Sequence, residues 1–173
     1  MSTHQKTPEE LQEQLWKEIK KGHLGMLGLV GDAPIQHFQP MTPFIEPTNG
    51  EIYFFTRTDT DLARAVGDGA EAMFIVQSKD HTLQACVGGR LDLRADRERI
   101  NRYWNAIVAA WYPGGRDDPE LTLLRLRARD AQVWLSDHGP LKFALEIARA
   151  NATHREPDVG QSERLDLRGT SSL

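Results

Sequence analysis

Leu11, Leu15, Trp16 and Ile19 recur at the spacing of one helix face, so the pattern predicts an opening amphipathic helix. Thr7-Pro8-Glu9-Glu10 supplies its start, with Thr7 as cap, Pro8 at the first helical position and Glu10 closing a capping box. Gly22 is its expected stop. From His23 the pattern changes to short apolar runs broken by turn residues. HLGMLGLV (23–30) reads as a strand, Gly31-Asp32-Ala33-Pro34 as a turn, and IQHFQPMTPFIEP (35–47) as a second extended segment. Asn49-Gly50 between two apolar runs signals a hairpin, because both residues tolerate positive φ. EIYFFT then predicts a strand that runs into a short helix, about 60–66, stopped by Gly67-Asp68-Gly69.

EAMFIVQS (71–78) and HTLQACVGGRLDLR (81–94) read as two further strands, and the paired glycines Gly88-Gly89 suggest a bulge or barrel corner. Ile100, Tyr103, Trp104, Ile107, Val108 and Trp111 form a continuous apolar stripe, which predicts one helix over 96–111 ending at Tyr112-Pro113-Gly114-Gly115. LTLLRLRA (121–128) and AQVWLS (131–136) follow as two strands, then a helix over about 140–150. Residues 1–6 read as a flexible N-terminus, 7–150 as a single domain, and the polar stretch 151–173 as a disordered tail. Most strand connections are too short for the helical crossovers of a parallel sheet. The expected fold is therefore mainly β (α+β): a six- to seven-stranded antiparallel barrel with flanking helices.

Composition narrows the function classes. The 173 residues carry a net charge of −4, which argues against a dedicated nucleic-acid binder. One cysteine, Cys86, excludes an internal disulfide and a cysteine-rich zinc site, and fits a reducing cytoplasm. No apolar run approaches the ~20 residues that span a bilayer, and the polar N-terminus does not read as a signal peptide. The six histidines are scattered, without a metal-binding pair, so no metal site is expected. Gly25 and Gly28 lack the following helix that a dinucleotide loop requires. There is no Gly-x-Ser-x-Gly nucleophile elbow.

The chemistry-bearing stretch is YFFTRTDTDLARAV (53–66). Thr56, Arg57, Thr58 and Thr60 could cradle a phosphate at the strand–helix junction. The same hydroxyls could equally cap a short helix whose first turn is favoured by Asp59 and Asp61. Residue chemistry alone leaves these two readings level. Arg125, Arg127 and Arg129 alternate along a strand, as either a solvated face or a cationic patch. Trp111 and Trp134 are either core or flat surfaces beside an aromatic ligand. His37 reads as a half-exposed strand residue or as a catalytic one.

Four stretches together resemble the pyridoxamine 5'-phosphate oxidase-like family of FMN-binding split barrels, in its general stress protein branch. They are GHLGMLGLV, Phe38-Gln39-Pro40-Met41-Thr42, IYFFTRTDTDLARAV, and NRYWNAIVAAWYPGG with Asp118-Pro119 and LTLLRLRARDAQVWLSD, within about residues 8–148. The resemblance implies FMN, with FAD as the larger alternative, bound between the subunits of a homodimer. It puts Gln39, Pro40 and Met41 along the flavin ring and Thr56, Arg57, Thr58 and Thr60 around the phosphate. Trp111 and Trp134 would approach from the partner subunit. It also implies a flavin-dependent oxidoreductase of open substrate. A non-catalytic flavin carrier or sensor, or a barrel that binds haem or a deazaflavin, are the alternatives. Two positions depart from the family's pattern. Gln39 stands where relatives often carry arginine, and Leu62 where they often carry lysine.

Overall fold

The computed structural model describes residues 5–32, 37–136, 140–154 and 160–168. Helix α1 spans Pro8–Gly22 and begins with the expected capping box. The Glu10 amide donates to Thr7 Oγ1 (3.3 Å) and the Thr7 amide to Glu10 Oε2 (2.9 Å). Its apolar face, Leu11, Leu15, Trp16 and Ile19, is buried against the sheet. The strands are β1 (Gly25–Leu29), β2 (Gln39–Met41), β3 (Phe44–Glu46), β4 (Glu51–Arg57), β5 (Ala70–Gln77), β6 (Leu83–Arg94), β7 (Leu121–Leu135) and β8 (Gln161–Asp166). They form one antiparallel sheet ordered β2-β1-β5-β6-β7-β4-β3, with β8 paired to β7 beside that path.

The sheet's two edges, β2 and β3, are consecutive in the chain and separated by Thr42 and Pro43 alone. Three Cα steps reach at most about 11 Å, so the edges must lie close and the sheet must curl on itself. The split lies along β7. Its first half, Leu121–Arg127, pairs with β4, and its second half, Asp130–Leu135, pairs with β8. Between them Ala128 N–H donates to Gly50 O and Leu167 N–H to Arg129 O. The curl also needs the β6–β7 register shift at Gly88/Gly89. A Cβ on Gly89 would sit 2.1 Å from the Arg127 carbonyl oxygen, so only glycine lets the strands approach there.

Alternation along β4 sorts two clusters. Ile52 and Phe54 point into the barrel with Leu27, Phe74, Leu124 and Leu126. Tyr53 and Phe55 point outward and are covered by Ile100, Tyr103, Trp104, Val108 and Tyr112. The covering residues come from α3 (Arg97–Tyr103), α4 (Ala106–Trp111) and the residues that border them. The expected single helix over 96–111 is therefore two. The Trp104 backbone leaves the helical region, and the Asn105 side chain accepts from the Ile107 and Val108 amides to start a new helix. An Asx cap competes with helix continuation at this position, and the break carries Trp104 towards Phe55.

Other expectations change too. The two strands over 121–136 are one 15-residue strand, β7. The extended segment 35–47 contains two short strands, β2 and β3. The Asn49-Gly50 hairpin turns through a short 3-10 helix, Pro47–Asn49, with Gly50 at φ 66°. The last helix, α5, spans Pro140–Thr153. The disordered tail over 151–173 is corrected at its centre, because β8 pairs with β7 and buries Leu165 and Leu167. Alternating residues on a polar strand hid that apolar face. His37 precedes β2 and is exposed rather than mid-strand. Residues 1–4, the Ala33-Pro34 part of the predicted turn, 155–159 and 169–173 lie outside the described residues.

Candidate functional site

β4 carries its end residues to a rim where two distant segments meet. The turn after β4 leads into α2 (Asp61–Val66), capped by Thr60. Thr60 Oγ1 accepts from the Ala63 amide (3.2 Å), donates to the Arg57 carbonyl (3.0 Å) and contacts Thr56 Oγ1 (3.2 Å). The second segment is the loop from Tyr112 to Glu120. The Thr58 amide donates to the Glu120 carbonyl (2.9 Å), and the Thr58 hydroxyl donates to the Glu120 carboxylate. Thus the Thr-Arg-Thr-Asp-Thr turn and the Pro-Gly-Gly-Arg-Asp-Asp-Pro loop form one corner.

Arg57 is the corner's cation. Its Nε and Nη2 reach Asp59 (3.1 and 3.2 Å), and its Nη1 reaches Asp118 Oδ2 (2.6 Å). The Arg57 side chain is 36% exposed, whereas that of Asp118 is 11% exposed. Asp118 is fixed in turn, since its Oδ1 accepts from the Glu120 amide (2.9 Å). The loop glycines make room for it. A Cβ on Gly114 would meet Asp118 Oδ2 at 2.5 Å, and Gly115 has φ 73°. The hydrogen bond from Arg57 holds the Asp59 carboxyl below its usual range. Burial pushes the Tyr112 phenol up to about 12, against the opposing field of Arg57. Tyr112 therefore stays a neutral phenol beside the guanidinium.

The predicted site residues divide into groups. Thr56, Arg57, Thr58 and Thr60 are brought together by the bonds above. Trp111 ends α4, one residue before this loop, with its side chain 78% exposed. Gln39, Pro40 and Met41 form β2, opposite Leu27, Met26 and Gly25. Pro40 lacks a backbone donor, which an edge strand tolerates. Trp134 is half-exposed on the outer face of β7, across from Gln84 and Ser162. It lies twelve residues along β7 from Thr122, the cross-strand partner of Thr56. At roughly 3.3 Å per residue that is about 40 Å of strand, so one chain does not bring Trp134 to the Arg57 corner. Leu62 packs in the barrel core at 3% exposure and adds no cation to the corner. Arg125 pairs with Asp92 and Glu51, Arg127 with Asp92, and Arg129 with Glu71. These arginines are a paired outer face.

Sequence reasoning did not find Asp118, Glu120 and Tyr112 as members of the corner. The only signal was the turn-rich Tyr112–Pro119 segment, because contacts across 61 residues leave no local pattern. Among the described residues no group of acidic, histidine or cysteine side chains could hold a metal ion, and no helix is long and apolar enough to cross a membrane.

The corner's donor set suits a phosphate. Three of Arg57's five N–H groups are committed to Asp59 and Asp118, which leaves two for a further acceptor, while the Thr58 and Thr60 hydroxyls donate to Glu120 and to the Arg57 carbonyl. A curled antiparallel sheet split along its longest strand, with an arginine-and-threonine rim, is the architecture of a split barrel. The chain belongs to the pyridoxamine 5'-phosphate oxidase-like family, whose model matches residues 10–158. Three solved structures are similar over most of its length. A structure assigned to general stress protein 26 of Jannaschia sp. CCS1 is 30% identical, with 91% of this chain and 99% of that chain covered and a TM-score of 0.73. A general stress family protein of Xanthomonas campestris pv. campestris is 43% identical (78% and 92% covered, TM-score 0.70). The general stress FMN/FAD binding protein of Xanthomonas citri is also 43% identical (76% and 92% covered, TM-score 0.69). No curated protein matches the chain.

Proposed function

We propose that this chain is a flavin-binding protein that holds FMN, or FAD, with a phosphate at the corner of Thr56, Arg57, Thr58 and Thr60. The carrying observation is its 43% identity to the Xanthomonas citri FMN/FAD binding protein over 76% of this chain. The corner supports the reading chemically, because Arg57 retains free donors and its aim is fixed by the half-buried Asp118. Gln39, Pro40 and Met41 would lie along the ring. Bound flavin would supply two-electron redox chemistry, and the chain's own residues would bind and orient it.

The same reading takes the protein as a homodimer. Met26 and Ile75 are cross-strand partners on the outer face, both exposed, and Trp134 is exposed on that sheet as well. A pair of neighbouring exposed apolar side chains, with an exposed tryptophan two strands away, fits a covered face. With Trp134 remote from Arg57 within one chain, a second copy is the source of any tryptophan from β7 at the flavin. The oligomer would be measured by sedimentation with and without flavin.

The test is the visible spectrum of the purified protein, followed by titration of the colourless form with FMN and FAD. A flavin band, or saturable quenching of flavin fluorescence, is the expected result. Absence of binding to either nucleotide would overturn the proposal. Reduction of the bound flavin by a reduced nicotinamide, followed by turnover with an acceptor, would separate an oxidoreductase from a carrier.

A further inference from the structure

The corner that suits a phosphate by its donors opposes one by its charge. A single guanidinium, Arg57, faces three carboxylates. Asp59 and Asp118 are bonded to it, and Glu120 is bonded to Thr58. Of the surrounding charges, Arg116, whose partner is the neutral Asn101, offsets this in part, and the others pair with each other. On α2, Asp61 lies 3.8 Å from Arg64. On the loop, Asp117 pairs with Arg97 of α3 (2.6 Å), and Arg116 reaches Asn101 (3.5 Å). Tyr112 is neutral, and Leu62 fills the helix position inward. The inner set is therefore net anionic before any ligand arrives.

We propose that this corner selects flavins by phosphate charge, taking a singly charged phosphate in preference to a dianion. The inference rests on the flavin reading above and adds a selectivity that this chain's own carboxylates impose. A phosphomonoester such as that of FMN loses its second proton near pH 6, so FMN is a dianion at neutral pH. The two phosphates of FAD carry one charge each and lose no proton near neutral pH, so FAD's charge does not change over this range, and riboflavin has no phosphate. A unit charge about 4 Å away in water-like surroundings changes a binding constant by about fivefold, less with salt. Arg57 gains from each added negative charge on the ligand, but the three carboxylates of the corner, Asp59, Asp118 and Glu120, lose. The second charge of FMN therefore weakens binding at this corner.

The experiment measures dissociation constants for FMN, FAD and riboflavin by fluorescence quenching at constant ionic strength, at about pH 8 and about pH 5.5, on either side of the phosphate's titration. Dividing by the riboflavin constant removes titrations of the protein that act on the ring. The FMN-to-riboflavin affinity ratio should rise about threefold or more on acidification, while the FAD-to-riboflavin ratio stays nearly flat. Asp59→Asn and Glu120→Gln, each removing one opposing charge, should raise FMN affinity at the higher pH by a few fold and shrink its pH dependence. Flavin binding with an FMN ratio that is flat, or that falls on acidification, overturns this inference alone. No binding of any flavin overturns the flavin reading and this inference together.

Discussion

Arg99 and Arg57 each grip two carboxylates, yet one grip is closed and the other open. Arg99 sends Nε and Nη2 to Glu46 (both 2.9 Å) and Nη1 to Asp96 (2.7 Å), and its guanidinium lies 4.8 Å from the centre of the Tyr53 ring. Glu46 is saturated from other sides by Tyr103 (2.6 Å), Asn49 (3.1 Å) and Arg102 (3.4 Å). These bonds tie α3 to β3, over the outward cluster of Tyr53 and Phe55. Arg57 instead spends two of its bonds on Asp59, two residues away and exposed, and has one long-range bond, to Asp118. Charge pairs with partners on every side hold secondary structure in place. A cation with a local partner and spare donors can exchange partners, which is what a ligand requires.

The largest expected effect comes from opening the closed grip. Glu46→Ala leaves Arg99 and Tyr103 with lost partners in a half-buried place and should destabilise the fold by about 2–4 kcal/mol, read from urea denaturation. A loss below about 0.5 kcal/mol would mean that the network is decorative. Its pH signature is next. The Arg99 hydrogen bonds, opposed by desolvation and aided by Tyr103, lower the Glu46 carboxyl to about 2 from an ordinary 4.5. A depressed folded-state pKa contributes stability that is complete above the unfolded value and is lost as pH falls through the folded one. Between pH 4.5 and about 2, wild type should lose stability faster than Glu46→Gln, and parallel acid-denaturation curves would refute that. The smallest effect belongs to the open corner. Thr58→Val removes an exposed hydroxyl bond to Glu120 and should change stability by no more than about 0.5 kcal/mol. A larger loss would show that the corner, too, is structural.

The comparison also explains what the sequence made legible. Local periodicity located α1, β4, β5 and β6, and the Thr7–Glu10 box and the Gly88-Gly89 bulge stand where residue chemistry put them. Features set by tertiary contact were not readable. The stripe through Trp104 and Ile107 spans a real break, because hydrophobic spacing does not register that Asn105 caps a second helix. Strand β8 alternates polar residues outward and buries little besides Leu165 and Leu167, so its polar composition read as a tail. At the site, Thr60 as cap was visible, and the cap is what the structure shows, with the same hydroxyl in contact with Thr56 Oγ1. Asp118 was not visible as Arg57's partner, because the sheet alone brings residues 57 and 118 together, through the pairing of Arg57 with Leu121.

The central claim is that Arg57 meets the phosphate of a flavin nucleotide and not its ring. The direct measurement is the affinity of wild type and Arg57→Ala for FMN and for riboflavin under identical conditions near pH 7. The account predicts that the substitution weakens FMN by about tenfold, the worth of one charged hydrogen bond, and leaves riboflavin unchanged. Equal weakening of both ligands, or no change for FMN, would contradict it.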